Sequence, residues 1–434
     1  MPEFIKSNWI FFLVITFLSI LYLSGYQSVP FHPDESTHIY MSSDFNFLIS
    51  DPLSMSYTPM NKDSNRTFLR SLGAPLTKYL LGFTLAASGL EAPNKDWDWS
   101  QSWTENIRAG ALPESKVINM SRLTTTIMTL AAHLFLYYCV KNVWGKPTAL
   151  LSVLLMGLNP LILLHGRRAM NEASALLGVS AFVWLLTLDN ITPLLTGIVS
   201  ASSFNAKQIL LLLFPVGIIA VYCSKNGENK PMTRIHKIIS YAGVFFIVTW
   251  LLNPYYWTHP IDSFQHSLKT IQELQSSQLN DFYRAKNKNI LQTTPYRVLA
   301  ITGNLFFSPL GYSDVGNYDQ NIAGQIQQYE DLSLNTLGRN QFIASLLITI
   351  SSGGFIYGFF QLSRKKNRVK KKIFTLLLTS ILLFLGVLFL QPVPWQRYVI
   401  TLIPLTTIWT AVGLQPFIQN MNICEVIQSS RQEL

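Results

Sequence analysis

Residues 9–25 read WIFFLVITFLSILYLSG, an uncharged run behind Lys6, and about six residues beyond it stands Phe31-His32-Pro33-Asp34-Glu35. At 1.5 Å per residue the run can cross about 30 Å of hydrocarbon as a single helix. No small-residue cleavage site precedes the polar stretch that follows, so we read a retained first span rather than a signal peptide. The acid pair then lies at a membrane edge, where adjacent carboxylates beside a His cost desolvation and need a reason.

The rest of the composition agrees with a membrane reading. The chain has 434 residues, 49% hydrophobic and 13% charged, against about 25% charged in soluble domains, which excludes an ordinary soluble enzyme. Mean hydropathy is only +0.26, so the apolar residues are concentrated in spans and the polar ones in sizeable loops. Further apolar runs lie near 123–140, 148–165, 173–188, 191–206, 208–223, 238–253, 341–362, 373–391 and 398–418. The expected fold class is an all-α polytopic membrane protein of about ten transmembrane helices. Residues 1–418 form one domain and 419–434 a cytoplasmic tail.

Direction follows from Lys and Arg, which stay on the cytoplasmic side of short loops. With the N-terminus inside, Lys6, Lys141, Lys146, Lys225, Lys230, Arg234, Lys237 and the basic run from Arg364 to Lys372 are cytoplasmic, against Arg167, Arg168 and Arg397 outside. One long span over 191–223 would put Lys225 to Lys237 outside, and two short crossings keep them inside. The run Arg364 to Lys372 reads as a topology anchor rather than a nucleic-acid site. Cys139, Cys223 and Cys424 fall near the cytoplasmic face with no metal-binding spacing, so they are expected to be reduced.

Two long outer segments, 26–119 and 253–340, hold most of the polar sequence, which places the chemistry outside. In the first, 72–89 is apolar but interrupted by Lys78, and counting it as a span would invert every later loop; it reads as an interfacial helix. In the second, 265–284 is helix-permissive and 297–310 is again interfacial. Trp97, Trp99, Trp103 and Trp257 suit a headgroup zone.

Several constellations could carry chemistry. Asp34 or Glu35 could take a proton from an incoming nucleophile while its neighbour and His32 tune it; equally, Pro-Asp-Glu is how a helix opens, with acids favoured by the dipole. Lys78 could clamp a lipid-linked phosphate or merely snorkel. Arg167 and Arg168, on a short outer turn with Glu172, could bind phosphate or pair with that Glu. Arg122 and Arg397-Tyr398 complete an outer ring of positive charge, either headgroup anchors or parts of an anion site. There is no P-loop, GxGxxG, HExxH or GxSxG, so nucleotide-driven transport and serine hydrolysis lose their usual support.

In their order these features resemble the GT-C membrane glycosyltransferases, specifically those related to dolichyl-phosphate-mannose protein mannosyltransferases and the lipid A aminoarabinose transferase. The likeness runs from His32-Pro33-Asp34-Glu35 through Ala74-Pro75-Leu76-Thr77-Lys78-Tyr79, Arg122-Leu123, Asn159-Pro160 and Arg168-Ala169-Met170-Asn171-Glu172 to Arg397-Tyr398 and Pro404, with Ala74 where the family usually has Pro or His. The resemblance implies inverting transfer of a sugar from a polyprenyl-phosphate donor to a protein, glycan or lipid acceptor on the outer, periplasmic face. It implies Asp34 as the base. A divalent metal stays unassigned, since no ligand set beyond Asp34, Glu35 and His32 argues for one. The donor phosphate is expected on Arg397, Lys78, Arg168 and Arg122, with Arg167, Glu172 and Tyr398 also at the site. The competing readings are a lipid-linked sugar flippase and a glycan polymerase or ligase.

Overall fold

The computed structural model describes residues 3–62, 64–224, 231–284, 293–313, 318–390, 393 and 395–420. Lys225, Lys230, Cys424 and the predicted tail beyond Asn420 lie outside these residues. The first half of the chain runs through α1 (Glu3–Gly25), α2 (Pro33–Tyr40), α3 (Asp44–Ser50), α4 (Asn65–Leu72), α5 (Leu76–Ala87), α6 (Trp103–Arg108), α7 (Ser115–Trp144), α8 (Lys146–Gly157), α9 (Pro160–His165), α10 (Asn171–Leu186), α11 (Pro193–Ala206) and α12 (Leu213–Cys223). It continues through α13 (Pro231–Leu252), α14 (Pro260–Arg284), α15 (Thr294–Thr302), α16 (Asp319–Glu330), α17 (Gln341–Arg364), α18 (Asn367–Leu390) and α19 (Ile403–Asn420). No strand occurs among the described residues.

Among the described residues, six segments are long and apolar enough to cross a membrane: Asn8–Gly25, Ser115–Trp144, Met232–Leu252, Gln341–Arg364, Asn367–Phe389 and Gln396–Phe417. The other four expected spans form shorter helices, for local reasons. Over 148–165 the helix breaks before Pro160, where the Asn159 side chain accepts from the Leu161 N–H at 3.0 Å and starts α9 afresh. Between 191 and 223 the break falls at Lys207, whose backbone is extended, and a 3-10 turn Gln208–Leu212 leads into α12. A count of ten crossings would require these shorter helices to cross as well. Helix α5 has 12 residues, about 18 Å at helical rise and too short to span.

The short helix α10 sits at the centre. Its apolar residues run all the way round, and it packs on α7 and α11 with Leu176, Val179, Phe182 and Val183 fully buried. Helices α17 and α19 approach through small residues: a Cβ at Gly354 would lie 1.9 Å from the Trp409 carbonyl oxygen, and one at Gly413 would lie 2.4 Å from that of Ile350. Lipid offers no hydrophobic driving force between spans, so close backbone packing supplies the attraction instead.

Over one end of the bundle a second cluster joins Val29, Phe31, Trp97, Leu164, Tyr312, Tyr318, Ile322 and Tyr329. It ties the segment 26–119 to α9 and α16. Trp97 therefore differs from the sequence expectation. It is buried against Phe31 and Trp103, at ring-centroid distances of 5.8 and 5.3 Å, because the outer segment folds back on itself instead of spreading over lipid.

Candidate active site

Pro33 opens α2 and His32 caps it. The His32 Nδ1 accepts from the Asp34 N–H and the Glu35 Oε2 accepts from the His32 N–H, both at 3.1 Å. This reciprocal cap satisfies two orphan donors of the helix start. It also divides the two acids, since Glu35 turns inward and Asp34 stays at the rim.

Glu35 is fully buried. Its carboxylate takes a fork from Arg122, Nε at 2.8 Å and Nη2 at 2.7 Å, and accepts the Ala169 N–H at 2.9 Å. One carboxylate thus joins α2, α7 and the turn before α10. Burial raises its pKa, and Arg122, Arg168 and the Ala169 N–H outweigh that and hold it below the usual carboxylate range. Arg168 donates to the backbone carbonyls of Pro30 at 3.1 Å and Tyr312 at 2.7 Å. Arg167 donates to Asn335 Oδ1 at 2.9 Å and the Tyr329 hydroxyl at 3.3 Å, and also bonds the Leu163 carbonyl. These arginines hold the outer segments to the bundle. Removing one partner of a buried ion pair strands the other, so Glu35→Ala is expected to cost about 3–5 kcal/mol of stability, with Glu35→Leu/Arg122→Met recovering much of it. Thermal unfolding of the purified proteins reads this, and an unchanged midpoint for Glu35→Ala would contradict it.

Asp34 has a different environment. Its side chain is 22% exposed and is ion-paired with Arg397, itself 15% exposed. The Arg397 guanidinium lies 4.9 Å from the Trp395 ring centroid and 5.8 Å from that of Tyr398. Burial raises the Asp34 pKa, but Arg397, His32 and His38 outweigh it and keep the carboxyl ionised well below the usual range.

Lys207 donates to Glu172 Oε1 at 3.0 Å and to the Arg397 carbonyl at 3.4 Å, and lies 5.9 Å from the Tyr398 ring centroid. Asp34, Arg397, Glu172, Lys207 and Tyr398 therefore form one group. Lys78 stands apart. It is 5% exposed, and its Nζ donates to the Leu69 carbonyl at 3.3 Å in a space that a Cβ at Gly73 would fill. Among the described residues no group of three or more His, Cys, Asp or Glu could hold a metal ion. Of the residues considered for one, His32 Nδ1 serves the cap, Glu35 holds Arg122 and Asp34 faces Arg397. They do not fit a metal as placed, and we route no step through one.

Sequence reasoning missed His38, His165, Lys207 and Asp96. His38 follows Asp34 by four residues on a helix that was expected, hence on the same face, and burial brings its imidazole down to about 4 against the pull of Asp34. Lys207 was legible as the one charge in the apolar stretch 191–223, and an ionisable group at membrane depth is a site candidate by default. Asp96 accepts from Asn65 at 3.4 Å and from the Trp97 N–H at 2.8 Å. Burial raises its pKa, with Asp34 also acting on it.

No protein-family model and no curated protein matches this sequence. Solved structures do. The apo oligosaccharyltransferase of Archaeoglobus fulgidus is 13% identical over 99% of this chain and 53% of its own, with a TM-score of 0.55. The archaeal oligosaccharyltransferase AglB from the same organism, in complex with an inhibitory peptide and a dolichol-phosphate, gives 12%, 98%, 52% and 0.54. The Archaeoglobus enzyme tethered by a disulfide to an acceptor peptide containing the NVT sequon gives 13%, 97%, 51% and 0.53. The chain has the GT-C fold. It spans about half the length of these neighbours. With the GT-C fold and six long apolar helices among the described residues it is an integral membrane protein, and the likeness covers the bundle together with the long segments 26–119 and 253–340.

Proposed function

We propose that this protein is an inverting glycosyltransferase that moves a sugar from a polyprenyl-phosphate donor to an acceptor at the outer membrane face. The observation that carries the reading is the Asp34–Arg397 pair. At a face where Glu35 and Arg122 are locked together at 4% exposure or less, this carboxylate and this guanidinium retain access. One is a proton acceptor, the other a phosphate ligand.

The pair as it stands cannot do both tasks. A carboxylate held by Arg397 is a weak base, and a guanidinium held by Asp34 is engaged by a carboxylate rather than by phosphate. A donor phosphate resolves this by taking over the guanidinium, which binds phosphate oxygens in a fork and releases Asp34 to accept a proton. An acceptor hydroxyl then attacks the anomeric carbon as its proton passes to Asp34. The carbon–oxygen bond to phosphate breaks and the electron pair leaves with polyprenyl phosphate. One in-line displacement inverts the anomeric centre. In this reading Glu35, Arg122, Arg167 and Arg168 position the rim, Glu172 and Tyr398 flank Arg397, and Lys78 contributes charge from a distance. The neighbours' dolichol-phosphate and acceptor peptides favour a lipid-linked donor and admit a protein acceptor.

The test follows the donor. In proteoliposomes holding the purified full chain, radiolabelled polyprenyl-phosphate hexose plus membrane extract should yield free polyprenyl phosphate and labelled acceptor. Intact donor moved to the other leaflet would instead identify a flippase.

The reading also requires the site to be outside and both termini inside. In a background with Cys139, Cys223 and Cys424 replaced by Ala, Ser54→Cys should react with an impermeant thiol reagent on intact cells and Ser363→Cys only after lysis; both positions are exposed. The reverse pattern would contradict the topology.

A further inference from the structure

Beside the Asp34–Arg397 pair, buried polar groups remain unsatisfied. Among the described residues neither ring nitrogen of His165 has a hydrogen-bond partner, and neither does Glu172 Oε2 or His38 Nδ1. His165 is 2% exposed and Glu172 1%. They come from three elements, α2, α9 and the start of α10, yet face one another electrostatically: His165 with Arg168, Glu172, His32 and Arg397, and His38 with Asp34, Lys78, Glu172 and Arg397. Groups buried this deeply are normally paired, because an orphan costs its full desolvation. The contrast with Glu35 and Arg122 on the same face, whose bonds are made within the protein, points to a partner that arrives.

The chemistry of the set restricts that partner. Glu172 is already balanced by Lys207 at 3.0 Å and Asp34 by Arg397, so neither carboxylate is left to hold a cation. What remains is one carboxylate oxygen that accepts and imidazole nitrogens that both donate and accept. Vicinal hydroxyls match this pattern, since each can donate to Glu172 and accept from a ring N–H. We propose that His165, Glu172 and His38, with Lys207 fixing Glu172, form the subsite that binds the hydroxyls of the donor's hexose. This rests on the function proposed above. It also orders the parts, with phosphate on Arg397, sugar on the His165–Glu172 side and Asp34 between them.

The experiment compares two probes on the full chain in nanodiscs, undecaprenyl phosphate and undecaprenyl-phosphate hexose (mannose and glucose forms). The wild type should bind at least one hexose form about tenfold or more tighter than the bare phosphate. His165→Leu and Glu172→Gln should each bring that preference to near none, since a hydrogen bond that involves a charged group is worth roughly tenfold or more. Affinity for undecaprenyl phosphate should stay unchanged in His165→Leu. His165 makes no bond that the fold needs, so His165→Leu should keep or raise the thermal midpoint. This variant therefore stays informative even if Glu172→Gln fails to fold for loss of its bond to Lys207. A preference unchanged in His165→Leu, with or without gained stability, would overturn the subsite, the ring then being hydrated only. Equal wild-type affinity for both probes would also overturn it while leaving the glycosyltransferase reading in place. Binding of neither probe would instead overturn that underlying reading.

Discussion

Asp34→Asn is expected to lower transfer by roughly 10²–10⁴-fold, the usual loss when a general base is removed, in a protein that folds and still binds its donor. The amide keeps the shape of the side chain and its place at the rim, and the cap of α2 uses the Asp34 backbone rather than its carboxylate. Stability should therefore hold. Donor affinity should hold or rise, because Arg397 loses a competing carboxylate. Glu35 provides the control: Glu35→Gln disturbs the Arg122 fork and should act through the melting temperature. If Asp34→Asn transfers at near the wild-type rate while a stable Glu35→Gln is inactive, the base is the neighbouring residue. If both are active, the mechanism has no base at this pair.

Arg397→Lys is expected to be nearly as harmful as Arg397→Ala, losing roughly 10²-fold or more in kcat/KM, a loss in the range for removing one preorganised donor to a developing anion. Lysine keeps the charge but presents a point where the phosphate needs a planar fork, and it gives up the guanidinium placed 4.9 Å from the Trp395 ring centroid. An ordinary headgroup anchor would accept Lys freely. The exchange of Arg397 from carboxylate to phosphate has its own signature. In the free enzyme Arg397 holds Asp34 below the usual carboxylate range, so the acid limb of kcat/KM, where Asp34 becomes protonated, should lie at low pH. Once donor takes the guanidinium, that depression is relieved and Asp34 protonates at higher pH, so the acid limb of kcat should be displaced upward relative to kcat/KM. In Arg397→Gln the two limbs should coincide. Coincident limbs in the wild type would contradict the exchange.

Much of this fold was legible from hydropathy and charge because the bilayer leaves few options for a backbone. The helix start at Pro33, the short helix around Lys78 and the break within 191–223 all follow from local residue chemistry. Less legible was which members of a charged pair face inward. Asp34 and Glu35 differ by one position, about 100° around a helix, and the cap at His32, the Ala169 N–H and the Arg122 fork from α7 together draw Glu35 inward. The same holds for Arg167 and Arg168, whose partners Tyr329, Asn335 and Tyr312 lie more than a hundred residues away, where no sequence spacing reveals them. His165 was hidden in an apolar run, and its importance appears only as a missing partner.

The most direct test of the central claim is the stereochemistry of the product. Purified wild-type protein would be incubated with polyprenyl-phosphate hexose of one defined anomer and its acceptor, and the new linkage assigned by mass spectrometry and NMR. The account predicts a covalent glycoside with the opposite anomeric configuration, formed by the wild type and roughly 10²–10⁴-fold more slowly by Asp34→Asn; a product of retained configuration, or one formed equally by Asp34→Asn, would contradict it.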